Sequence, residues 1–149
     1  MASQYITFAI IFVLGISLVI ITNAMFLSMS EQFQVNIGDI EMTQTLKLVQ
    51  NQILQNVLGL PASQQTIQMQ IDLPDFLGQG FRYTIRMSTT TDGQLRLRGF
   101  TRNLEIDNAV TFSLGPKYTT SASGEFLSTS SVLTIYSQRI SNNITLTIS

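Results

Sequence analysis

The sequence lacks cysteine and histidine altogether and has few charged residues of either sign. Without cysteine there is no disulfide framework or thiolate metal site, and without histidine the commonest acid–base side chain is missing. Charged residues make up 11% of the 149 positions, against about 25% in typical soluble domains. The net charge of −1 gives no general attraction to nucleic acid or to a membrane surface. These absences argue against an enzyme, and we predict no cofactor.

The charged residues are also unevenly placed, since none occurs among the first thirty positions. From Ile6 to Leu27 the sequence is almost continuously apolar, which is long enough to cross the roughly 30 Å hydrocarbon layer of a bilayer. Small residues such as Ala9 and Gly15 allow helices to approach closely. A secretory signal peptide fits poorly, because no basic residue precedes Lys47. We therefore expect this segment to lie in a membrane or inside a multi-subunit assembly.

The residues predicted to pack in the core of such an assembly are Ile6, Phe8, Ile10, Phe12, Leu14, Gly15, Leu18, Ile21 and Phe26. From 31 to 58 apolar residues recur every three or four positions, which is typical of an amphipathic helix. Gly38 interrupts this pattern and is predicted to loosen the helix by about 1 kcal/mol relative to alanine. Gly59 and Pro61 mark its end. The residues expected to pack against a following domain are Phe33, Ile37, Ile40, Leu46, Val49, Ile53 and Val57.

After Pro61 the periodicity changes from helical to alternating, as in Ile67–Leu73 and Phe81–Met87. Six or seven short strands separated by turn signals predict a β-sandwich. We therefore predict an α+β fold with two parts. The first is an N-terminal helix over residues 1–58, fully apolar over 1–30 and amphipathic over 31–58. The second is an antiparallel, immunoglobulin-like β-sandwich over residues 62–149.

A three-residue loop, Thr91–Gly93, is predicted to close a hairpin that aligns Met87 with Leu97 on the inner face. The same register predicts that five of the eight basic residues share the other face: Arg82, Arg86, Arg96, Arg98 and Arg102. A neighbouring subunit and external anions are both candidate partners for this face, and simple solvation is the third interpretation. Nucleic-acid binding would need a clearer basic excess.

Asn143 begins the only N-glycosylation sequon, Asn143-Ile144-Thr145, and we expect it to be exposed between the last two strands. The hydroxyl-rich stretch Thr119–Ser131 is a candidate for O-linked sugars. Two acidic pairs are interpreted as ordinary surface charge, with weak calcium binding as the alternative: Asp72 with Asp75, and Glu105 with Asp107.

The order of these parts resembles archaeal type IV pilins, which have an uncharged apolar N-terminal helix, an amphipathic continuation and a β domain rich in Ser, Thr and Gln. Tyr5 stands where bacterial relatives carry a glutamate, which is more similar to the archaeal members. The resemblance implies a mature subunit whose basic leader, cut by a prepilin peptidase, preceded Met1. It also implies insertion in the membrane before assembly.

The resemblance further implies that an assembly ATPase and its platform build an extracellular helical homopolymer, often coated with sugars and used for adhesion or cell–cell contact. Two other interpretations fit the same order of parts. One is a membrane-anchored β domain that binds a component of the cell envelope, similar to a stator piece of the archaellum motor. The other is an archaellin-type subunit of a motility filament.

Overall fold

The structure, a computed structural model, describes residues 2–59, 65–78, 80–102 and 106–149. The chain forms two compact units, Met1–Gln34 and Val35–Ser149. Four positions used in the sequence-based predictions lie outside the described residues: Met1, Pro61, Ala62 and Glu105. The compact unit with the strands begins at Val35, so it includes all but the first four residues of the predicted amphipathic helix.

One α-helix and seven β-strands occur within the described residues. The helix α1 is Ala2–Leu58, and the strands are β1 (Gln65–Asp72), β2 (Tyr83–Thr89), β3 (Leu95–Thr101), β4 (Asp107–Phe112), β5 (Thr119–Leu127), β6 (Val132–Ile140) and β7 (Asn143–Ile148). The strands form one sheet in the order β1-β6-β7-β5-β2-β3-β4. Neighbouring strands are antiparallel except β5 and β7, which are parallel. The predicted α+β class, a long N-terminal helix followed by a C-terminal β-sandwich domain, is confirmed.

Strand β5 joins the two halves of the sheet by changing partner along its length. Its residues Thr119–Gly124 pair with β7, whereas Glu125–Leu127 pair with β2. The change comes at Gly124, which has a φ of +122°. A β-carbon at this position would overlap the carbonyl oxygen of Ile148. Only glycine combines this backbone conformation with so close an approach of β7.

The predicted hairpin between β2 and β3 is confirmed. The Thr90 amide donates to the Gln94 carbonyl over 2.8 Å, which leaves three residues in the loop. Gly93 occupies the left-handed region with a φ of +75°, as such loops require. Met87 lies directly opposite Leu97, and both side chains are buried.

The second half of α1 supplies one side of the hydrophobic core of the β domain. Its buried hydrophobic residues are Met42, Leu46, Val49, Ile53 and Val57, each at most 1% exposed. They join alternate residues of the strands in one cluster. Burial of an aliphatic side chain of this size contributes about 1.5–3 kcal/mol, so this part of the helix belongs to the folded domain.

The assignment of Ile37 and Ile40 to the helix face that packs on the β domain was wrong. Their side chains are 36% and 57% exposed. Successive helical residues are about 100° apart, so Ile40 lies about 200° around the helix from the buried Met42. Gly38 takes the buried position instead. Phe33 falls in the first unit, where it is 69% exposed.

Candidate functional site

The first candidate surface is the charge-free part of α1. Every large apolar side chain from Tyr5 to Met29 is between 46% and 75% exposed. This helix is long and apolar enough to cross a membrane. Its exposed apolar surface needs a cover of lipid or protein, because water solvates such a surface poorly.

All the residues predicted to form an assembly core lie on this surface. The exposed large side chains among them are Ile6, Phe8, Ile10, Phe12, Leu14, Leu18, Ile21 and Phe26. At Gly15 an added β-carbon would meet no atom within 4 Å. The surface around Gly15 is therefore open to close approach by another helix.

Polar groups in this segment are partly satisfied within the helix itself. The Ser17 hydroxyl donates to the Val13 carbonyl, and the Thr22 hydroxyl donates to the Leu18 carbonyl, each over 2.8 Å. Such back-bonding removes the cost of placing a hydroxyl in an apolar environment. Both side chains are thus compatible with a surface that becomes buried.

The second candidate surface, the arginine face, lies on the outer side of β2 and β3. Arg86 and Arg98 are directly opposite each other, and Arg96 points to the same side by alternation along β3. Arg82 and Arg102 are exposed just beyond the paired residues of the two strands. The register therefore places three of the five predicted arginines on one strand pair, with the other two at its end.

Two of these arginines are held by carboxylates. Arg98 donates to both oxygens of Asp107 over 2.8 and 2.6 Å, a bidentate geometry that fixes the guanidinium. Arg86 donates twice to one oxygen of Glu125, over 2.8 and 3.2 Å. Both guanidinium carbons also lie 5.5 Å from the centre of the Phe100 ring. The repulsion expected between opposed arginines is thereby offset.

The ion pair changes the protonation behaviour of both partners. The hydrogen bond from Arg98 holds the pKa of Asp107 below its ordinary value, with a smaller contribution from the positive charges of Arg98 and Arg96. The same hydrogen bond raises the pKa of Arg98. Asp107, one member of the predicted acidic pair of Glu105 and Asp107, is thus the counter-ion of Arg98. Its predicted partner, Glu105, lies outside the described residues.

Asn143, the candidate glycosylation site, is exposed at the first residue of β7. The turn before it contains Ser141 in the left-handed region, with a φ of 57°. The side chain is therefore accessible to a modifying enzyme. Asp72 and Asp75 are also exposed. Within the described ranges, no group of three or more His, Cys, Asp or Glu residues has the geometry to hold a metal ion.

Sequence reasoning missed two features of these surfaces. One is the contact that Phe100 makes with Arg86 and Arg98, whose guanidinium carbons each lie 5.5 Å from the centre of its ring. The alternation of Phe100 with Arg98 and Arg96 along β3 was the available signal. The other is a cleft of about 360 Å³ between α1 and the segment that follows β1. Glu41 closes one side of this cleft by accepting a hydrogen bond from the Gly78 amide, a contact that no local pattern indicates.

Comparisons with known protein families, with curated proteins and with solved structures found no match to this chain.

Proposed function

We propose that this protein is a structural subunit of an extracellular filament of the archaeal type IV pilus kind, which polymerises through its N-terminal helix and serves adhesion or cell–cell contact. The observation that carries the proposal is the continuous apolar exposure of α1 from Tyr5 to Met29 over a segment with no charge before Glu31. When the helices of identical subunits pack together, each helix buries the apolar surface of its neighbours.

The driving force follows from the change of solvent. In lipid the apolar helix gains little from self-association, because the bilayer is equally apolar. Outside the membrane the same surface faces either water or its neighbours. Burial of roughly 1,500 Å² at about 25 cal/mol per Å² contributes on the order of tens of kcal/mol before entropic costs. Assembly would therefore proceed strongly once the helix leaves the bilayer.

The length of the exposed apolar surface favours a filament over a simple anchor. Exposed large apolar side chains continue from Tyr5 through Phe33 to Ile37 and Ile40. A single bilayer accommodates about 20 residues of helix, so lipid alone leaves the last of these side chains uncovered. Neighbouring helices in a fibre have no such limit. Ile37 and Ile40, which do not contribute to the core of the β domain, then acquire partners in adjacent copies.

Further parts of the proposal follow the resemblance to archaeal type IV pilins. The partners would be identical subunits, a prepilin peptidase and the assembly ATPase with its platform. The arginine face would contact a neighbouring subunit or external anions, and Asn143 would carry a glycan. An archaellin-type motility filament shares the same helical core. Deleting the gene and measuring adhesion and swimming separately distinguishes the two.

The proposal is tested by Gly15→Leu. This substitution adds apolar volume at an open position, so membrane insertion of the precursor is retained while close helix packing is obstructed. We expect wild-type cells to release fibres that contain the protein on shearing, as seen by negative-stain microscopy. Cells with Gly15→Leu should keep the protein in the membrane and release few or no fibres.

Val19→Leu is the matched control, because it enlarges a side chain that is already bulky and exposed. It should leave fibre yield close to that of the wild type. Recovery of wild-type protein only from detergent extracts, as monomers or small oligomers, would favour the membrane-anchored β domain. Normal fibres from Gly15→Leu would contradict packing at Gly15.

A further inference from the structure

The outer side of the other half of the sheet carries polar side chains without charge. One row of these side chains crosses four strands. In strand order it consists of Thr66 of β1, Gln138 of β6, Thr145 of β7 and Ser121 of β5, each directly opposite the next. All four are exposed. The Ser121 hydroxyl also donates to the Thr145 hydroxyl over 3.2 Å. We call this surface the neutral face.

The next row of the neutral face has an aromatic ring near its middle. Gln68, Tyr136, Thr147 and Ser123 lie opposite one another in the same strand order. Tyr136 is 41% exposed, and the other three side chains are exposed as well. Adjacent strands are about 4.8 Å apart, so each row presents hydrogen-bonding groups at a spacing close to the length of one sugar residue in an extended chain.

Charges are segregated between the two halves of the sheet. Outward positions on β2 and β3 carry Arg86, Arg96 and Arg98. Among the described outward residues of β1, β5, β6 and β7, the charged ones are Asp72, at the end of β1, and Glu125, which lies where β5 turns to β2 and is paired with Arg86. An anionic ligand would therefore find complementary groups on the arginine face and none in the two rows of the neutral face. The chemistry that matches the neutral face is a ligand with many hydroxyl groups and no charge.

We propose that the neutral face binds an uncharged polysaccharide. Tyr136 serves as a stacking platform for the apolar side of a sugar ring, with its hydroxyl available for hydrogen bonding. Gln68 and Gln138 have amides that both donate and accept, and the hydroxyls of Thr145 and Thr147 do the same. Removing neutral polar groups from water costs less free energy than removing charged groups. A neutral polysaccharide can therefore bind to them at a low cost of desolvation.

One face with a single aromatic ring gives weak binding to each subunit. In a filament the face repeats at every copy, and a long polysaccharide engages many copies at once, which raises the apparent affinity without new contacts. This gain in avidity rests on the proposed function, whereas binding by an individual subunit does not. The experiment therefore uses solubilised subunits and supplies the multivalency separately.

Full-length protein in detergent is immobilised densely on beads, and retention of dextran, mannan and the anionic polysaccharide alginate is measured. We expect retention of at least one neutral polymer, unchanged when salt is raised from low to about 0.5 M because charge screening is not involved. Tyr136→Ala should weaken this retention about tenfold or more. Tyr136→Phe should preserve most of it, since the ring remains. Phe76→Ala, at an exposed aromatic residue outside the neutral face, is the matched control.

Circular dichroism is to be measured first, so that only folded variants are compared. Failure to retain either neutral polymer would overturn the inference, as would retention that survives Tyr136→Ala or disappears at high salt. A Tyr136→Ala variant that alters fibre formation with unchanged retention would assign the face to a neighbouring subunit and would also overturn it. Absence of wild-type fibres, in contrast, bears on the proposed function and leaves the bead result interpretable.

Discussion

Gly38 of the helix lies so close to Ile106 that a β-carbon at position 38 would be 2.6 Å from Ile106 Cδ1. Real side chains do not approach to this distance, so the position accepts only glycine without a shift of its neighbour. The residue that a propensity argument treats as a weak point of the helix is therefore a point of close packing between α1 and the β domain.

Gly38→Ala should lower the free energy of unfolding of the β domain by up to about 2 kcal/mol. Overpacking a core costs about 1–3 kcal/mol, and the higher helix propensity of alanine offsets about 1 kcal/mol of that cost. Ile106→Val removes the carbon that the new methyl group would strike, so the double variant should recover part of the loss. Chemical denaturation of the solubilised protein measures all three variants. Gly15→Ala, where the space is open, should cause no loss. Additive effects of the two substitutions would contradict direct contact between these side chains.

Gly124→Ala should cost at least about 3 kcal/mol, because it combines a strained backbone conformation with a collision against β7. Gly80→Ala is the matched control. Gly80 also has a positive φ, of 140°, but nothing lies within 4 Å of its β-carbon position. The control should show only the strain, about 1–2 kcal/mol. Equal losses at both glycines would show that the approach of β7 does not restrict position 124.

The ion pair between Arg98 and Asp107 should make a small, pH-dependent contribution to stability. The pKa of Asp107 is lowered in the folded protein by the hydrogen bond from Arg98. Its contribution is therefore present above the ordinary pKa of aspartate and is lost as the pH falls through the lowered value. The melting temperature of Asp107→Asn should lie below that of the wild type at neutral pH, and the two should converge in strong acid. A constant difference at every pH would exclude this linkage.

Tyr83 should make the domain sensitive to alkali. Burial raises the pKa of Tyr83, with a further contribution from the negative charge of Asp75. The contribution of the neutral Tyr83 to the free energy of unfolding is therefore fully present below the pKa of an unfolded tyrosine. It is lost as the pH rises above that value. Tyr83→Phe loses the hydrogen bond to the Pro74 carbonyl, which costs about 1 kcal/mol at neutral pH. Denaturation between pH 8 and 12 should show a shallower alkaline decline in Tyr83→Phe, and an unchanged decline would refute the assignment.

The class of the fold and much of its register could be predicted because they rest on short-range patterns. Alternation in β7 places Ile144 and Leu146 in the core, and loop length fixes the pairing of Met87 with Leu97. The parallel pairing of β5 with β7 could not be predicted, since it depends on contacts between distant segments. The buried face of α1 was predicted correctly from Leu46 to Val57, where a buried residue recurs every three or four positions. Before Met42 the prediction was wrong, because the apolar residues Ile37 and Ile40 are exposed.

The candidate surfaces, too, could be predicted only in part from the sequence. Exposure of the apolar helix follows from composition alone, because nothing in a small domain can cover so long a charge-free segment. The arginine face followed from parity, but its carboxylate partners did not. Glu125 reaches Arg86 through the β2–β5 pairing, and Asp107 reaches Arg98 through β3 and β4. Both pairings join strands whose adjacency the sequence does not specify.

The strand order has a kinetic consequence. Among the described strands, β1 is at one edge of the sheet and its single neighbour is β6. Ile67 and Ser137, 70 positions apart, meet across that pair. Contacts between such distant residues form slowly, because a long loop must close before any of them stabilises the chain. Until β6 arrives, the glutamine-rich β1 has no strand beside it, and during that interval it is open to mispairing with another unfinished copy.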